Sequence, residues 1–60
     1  MEWQKVASDA WAWRGYRITA EAHGEGWRYR AFSPEGAFLA VGGGEAAAFR
    51  EICENHAKGR

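Results

Sequence analysis

Residues 16–41, "YRITAEAHGEGWRYRAFSPEGAFLAV", alternate apolar and polar side chains around two glycine turns. No other feature constrains the fold as much, because successive side chains of a strand point to opposite faces of its sheet. The turns decide how the alternations line up. "SPEG" puts Pro34 at the first corner and Gly36 where a positive φ is needed, which predicts a three-residue loop with a bulge. That loop pairs Ser33 with Ala37, Phe32 with Phe38, Ala31 with Leu39 and Tyr29 with Val41. "HGEG", closed by two or four residues, pairs Ala22 with Trp27, Ala20 with Tyr29 and Ile18 with Ala31.

The two registers agree. One face collects Tyr16, Ile18, Ala20, Trp27, Tyr29, Ala31, Leu39 and Val41, an apolar set that needs a covering layer. The other collects Arg17, Thr19, Glu21, Arg28, Arg30, Phe32, Phe38 and Ala40. A slip of one residue in either hairpin would mix the two sets, so the pattern selects its register.

The cover follows at once. After "GGG" at 42–44, residues 45–57 space Ala46, Phe49, Cys53 and Ala57 three or four apart, with Ile52 and His56 beside them. Glu45 suits the positive end of the helix dipole, and Lys58 with Gly59 suits its stop. Upstream, residues 11–22 are predicted as one long strand in which Gly15 is a bulge or bend. Residues 3–7 form a short strand before a Ser8-Asp9 turn. The expected fold is α+β, a three-stranded antiparallel sheet with room for that N-terminal strand, packed against one C-terminal helix. The 60 residues are expected to make one domain.

A chain this short buries only about 60% of the surface its unfolded form exposes. Its four tryptophans matter for that reason, since large rings bury the most area per residue. Eight basic and eight acidic residues cancel. Neutrality argues against a nucleic-acid footprint and leaves little charge to hold copies of the chain apart. A single cysteine, Cys53, excludes an internal disulfide and fits a reducing compartment. No run nears the ~18 apolar residues of a membrane span, and "MEWQKV" lacks the features of a signal peptide, so a cytoplasmic chain without membrane contact is expected.

The sequence assembles no catalytic set. His23 sits in a glycine turn and His56 near the helix end, without a serine or cysteine placed as a nucleophile. Cys53 and His56 stand three apart on the helix, but two ligands do not make a zinc site, and a free cysteine is usually a small buried hydrophobe. "GGG" before a helix can cradle a phosphate, yet no Lys, Ser or Thr accompanies it, and a sheet-to-helix connection suffices. Neither an enzyme nor a cofactor or metal is expected.

The Arg and Phe face is the candidate site: Arg17, Arg28, Arg30, Phe32 and Phe38, joined by Trp13 if Gly15 introduces no bulge. Arginine and aromatic side chains together mark protein interfaces, and on antiparallel sheets they also hold single-stranded nucleic acid. A third reading lets the N-terminal segment, with Trp3, Val6 and Trp11, fold back and cover them. The preferred expectation is a non-enzymatic module binding an unidentified protein or its own copy; the alternative is single-stranded nucleic acid on the same face.

The whole pattern resembles short uncharacterised proteins encoded by phages and prophages of proteobacteria. They share an early Trp, a Y-x-I strand, a hairpin ending in a glycine turn, and a closing helix with an early Ala and a Cys-x-x-His-like end. The matching positions are Trp3, Tyr16, Ile18, Gly36, Ala46, Cys53 and His56. The resemblance implies a genomic setting rather than an activity. Two other folds share part of the order of elements. The plant-type three-stranded DNA-binding domain carries many more basic residues on its sheet. The double-stranded-RNA module has a first helix without counterpart here, and a Lys-rich turn where this chain has Glu45.

Overall fold

Five strands and a helix make up the chain in the computed structural model, which describes residues 3–59. They are β1 (Gln4–Ala7), β2 (Ala10–Trp13), β3 (Tyr16–His23), β4 (Gly26–Phe32), β5 (Phe38–Gly42) and α1 (Ala46–Lys58). The strands form one antiparallel sheet in the order β1-β2-β3-β4-β5. The α+β class and the closing helix match the expectation. The sheet, however, has five strands rather than the expected three with a short N-terminal fourth.

Arg14 and Gly15 account for much of that difference. Their φ angles are +51° and +85°, and two successive positive values are the mark of a type I′ hairpin turn. Residues 11–22 are therefore two strands joined tightly, with Trp13 paired to Tyr16. Asn or Asp usually precedes Gly in such a turn, and an arginine there hides it. The Arg14 guanidinium sits 5.1 Å from the centroid of the Trp13 ring. That cation–π contact offsets part of the left-handed strain.

The β3–β4 hairpin has the expected register, Ile18 with Ala31, Ala20 with Tyr29 and Ala22 with Trp27. Its two-residue turn uses Gly24 at φ +61°. The β4–β5 loop also begins as expected. Ser33 N–H donates to the Ala37 carbonyl at 2.9 Å, the Ala37 N–H donates to Ser33 Oγ at 3.0 Å, and Phe32 pairs with Phe38.

Beyond Phe38 the register slips. Ala31 pairs with Ala40, Arg30 with Val41 and Tyr29 with Gly42. Leu39 is thus the extra residue of a bulge. Leu39 and Ala40 both pack toward the core, so the outward position expected for Ala40 is corrected. Val41, expected under the helix, is instead 49% exposed. The physical gain is at Gly42: a Cβ there would stand 3.8 Å from Phe49 Cζ. The slip puts a residue without a side chain beneath the Phe49 ring, where a regular register would have placed valine.

α1 lies across β3, β4 and β5 and buries Phe49 and Cys53. The Phe49 ring is 5.4 Å from that of Tyr29. Ile18, Ala31 and Cys53 are fully buried between the layers, and each large apolar side chain so covered contributes about 1.5–3 kcal/mol. Tyr16, also buried, hydrogen-bonds through Oη to His56 Nδ1 at 2.7 Å. Ile52 is turned away and exposed, as is Trp27. Trp27 shares the helix face of the sheet, but the Ala22–Trp27 row lies past Tyr29 and Gly42, where the first turn of the helix packs.

Three tryptophans close the flank of the helix over β1 and β2. Trp11 pairs with Ile18 and Trp13 with Tyr16, which puts both on the helix side. Trp3 stacks on Trp13 with centroids 5.5 Å apart and donates its Nε1–H to Glu54 Oε2 at 3.0 Å. The N-terminal segment therefore supplies core, and Trp3 and Trp11 do not cover the Arg and Phe face. No helix among the described residues is long and apolar enough to cross a membrane.

Candidate interaction face

The side of the sheet away from α1 is organised in rows by strand pairing. Ala12, Arg17, Phe32 and Phe38 follow one another across β2 to β5. The next row is Ala10, Thr19, Arg30 and Val41, followed by Glu21 with Arg28 and, at the hairpin end, His23 with Gly26. Arg17, Arg28, Arg30, Phe32 and Phe38 thus share one face. Trp13 does not. It is buried on the helix side at 8% exposure, because the tight turn at Arg14-Gly15 fixes its parity with Tyr16.

The apolar part of the face is concentrated at the β4–β5 corner. Phe32 and Phe38 meet edge to face, centroids 5.8 Å apart and planes at 61°. Phe32 is half-buried, whereas Phe38 is 57% exposed. Val41 adds to this corner, and sequence reasoning missed it because "AFLAV" is apolar throughout and carries no alternation to reveal a bulge.

The charged part has an internal tie. Arg30 Nη2 lies 3.0 Å from Glu21 Oε1, a diagonal pair rather than the directly opposed Glu21–Arg28 pair. Both side chains are about half exposed, so the bridge holds geometry more than it stabilises the fold.

Beside the Phe corner the surface is hollowed to about 440 Å³, lined by Arg17, Thr19 and Phe32 of the sheet and by Gly15, Pro34 and Gly36 of the two turns. The two turns pack against each other. A Cβ on Gly15 would stand 2.9 Å from Pro34 Cβ. Glycine is therefore required there by contact as well as by φ.

Of the other chemical candidates, His23 is exposed at the hairpin end of this face, whereas Cys53 and His56 are placed apart from it. Cys53 is buried in the core, where desolvation, followed by the nearby charge of Glu54, raises its thiol pKa above the ordinary 9.0. His56 is engaged by Tyr16. Among the described residues no three His, Cys, Asp or Glu side chains cluster as metal ligands would. No family model, curated protein or solved structure matches the chain.

Proposed function

We propose that this chain is a small non-enzymatic binding module that holds a protein through the face bearing Arg17, Arg28, Arg30, Phe32 and Phe38. One observation carries the reading. Phe38 stands exposed against Phe32 in the same row as Arg17, on the side of the sheet opposite the helix and the tryptophans. An exposed aromatic braced by a half-buried one, with guanidinium groups around it and a hollow beside it, is the make-up of an interface hot spot. The sheet has no packing need for it.

Single-stranded nucleic acid would use the same residues, stacking bases on the rings and phosphates on the arginines. Two features favour protein. The edge-to-face contact of Phe32 and Phe38 occupies one ring face that a base would need, and the chain as a whole is neutral. The setting proposed with this function, a phage or prophage product acting in the cytoplasm, is supported by the resemblance and by the lone Cys53.

Affinity capture with the whole chain, followed by nuclease and high-salt washes, tests the choice. A protein contact built on Phe32 and Phe38 keeps its partner through both washes and loses it on Phe32→Ser or Phe38→Ser. A nucleic-acid contact instead weakens with salt by a log–log slope of roughly 0.7 per phosphate neutralised, and Arg17→Gln, Arg28→Gln and Arg30→Gln together abolish binding to an oligothymidylate probe.

A further inference from the structure

The two edges of the sheet differ. Both edge strands are bulged, β1 between Lys5 and Ala7 and β5 at Leu39, but β1 also carries Lys5, a charge that discourages further strand pairing. β5, at the other edge, is apolar from end to end, and residues 37–44, "AFLAVGGG", contain no charge and no proline. Its outward side chains, Phe38 and Val41, are the exposed ones.

We infer that β5 pairs antiparallel with β5 of a second copy of this chain, Phe38 facing the partner's Val41 and Leu39 facing the partner's Ala40 about a two-fold axis. The bulge at Leu39 sets that register. It leaves Phe38 and Val41 on the outer face and Leu39 and Ala40 on the helix side. This register pairs all four of residues 38–41 and opposes outer with outer and inner with inner. A slip by one residue sets Phe38 against Ala40, across the two faces.

A second copy is the occupant because the strand is complementary to itself. The seam brings no like charges together, and the zero net charge adds no long-range repulsion. The result is a continuous ten-stranded sheet, twice the five of one chain, with its two Phe corners side by side. Four residue pairs make a small seam against the ~1,200–2,000 Å² of a standard interface. The dimer is accordingly weak and concentration-dependent. This extends the protein-contact reading to the β5 edge and a defined partner, and the two share Phe38 and Val41 but not Phe32 or the arginines.

Sedimentation velocity of the full chain, from micromolar to millimolar, tests it. The expected result is a monomer–dimer equilibrium that Val41→Lys or Phe38→Glu each weakens about tenfold or more. The double Phe38→Glu/Val41→Lys chain, whose new charges oppose each other across the seam, recovers most of the lost affinity, and Phe32→Ser has no effect. Both substituted positions are about half exposed, and a cooperative urea transition verifies that each variant is folded. A wild-type monomer at millimolar concentration overturns the edge pairing and leaves the face free for a different protein. Dissociation by Phe32→Ser but not by Val41→Lys also overturns it, because the copies would then meet face to face. Failure of the double chain to recover overturns the register and the pairing with it.

Discussion

Gly15→Ala measures how far the hollow on the outer face depends on one turn packing against another. Two costs act at this position. A left-handed φ of +85° costs a residue with a side chain about 1–2 kcal/mol. The new methyl would also stand 2.9 Å from Pro34 Cβ and 3.3 Å from Pro34 Cγ, an overpacking worth about 1–3 kcal/mol. Gly24→Ala is the control. Its φ is +61°, but no heavy atom lies within 4 Å of the added carbon, so it carries only the first cost. The unfolded-state gain from replacing glycine is common to both and cancels. Urea unfolding followed by tryptophan fluorescence should therefore place Gly15→Ala about 1–3 kcal/mol below Gly24→Ala. That is a large share of the roughly 3–9 kcal/mol expected of a chain this size. Pro34→Gly, added to each, should return the excess in the Gly15 background alone. Equal losses at Gly15 and Gly24 would refute the turn-on-turn contact.

Cys53 should resist thiol reagents in the native protein and react at the unfolding rate. Its raised thiol pKa makes the unfolded chain ionise first as pH climbs, so the Cys53 contribution to stability is level below about pH 8 and then falls by at most about 1.4 kcal/mol per unit above pH 9; urea midpoints of the chain against Cys53→Ala across that range check it, and no difference in slope would contradict the burial. Tyr16→Phe removes the bond to His56 and should cost about 0.5–1.5 kcal/mol in the same assay. Trp3→Ala strips the stack from Trp13 and the bond to Glu54, and should destabilise by about 1–3 kcal/mol; no change would mean that Trp3 does not close the flank of the helix.

How much could be read from the sequence depended on where the pattern carried information. Between Tyr16 and Phe38 polar and apolar residues alternate, and the turns contain the residues their φ angles demand. The β3–β4 register, the Ser33–Ala37 closure and the Arg and Phe face were legible there. Arg14-Gly15 uses an uncommon residue at a positive φ, so the hairpin reads as a continuous strand, and the face of Trp13 hangs on what Gly15 does; the turn there puts it on the helix side. The all-apolar "AFLAV" has no phase, and the bulge that exchanges Ala40 and Val41 between faces leaves no trace in it. Tertiary contacts decided the rest. Trp27 has a core residue's parity but lies beyond the reach of α1, and Trp3 finds its place only through Trp13 and Glu54.

Site-directed photo-crosslinking tests the interaction face most directly. A benzophenone side chain at Thr19, paired with Arg30 and one row from Arg17, should give one discrete protein adduct on irradiation in extract, resistant to nuclease and lost when Phe32→Ser is added. The same probe at Ile52, exposed on the helix, should give none. An adduct that appears from Ile52 and not from Thr19, or one at Thr19 that nuclease removes, would contradict the account.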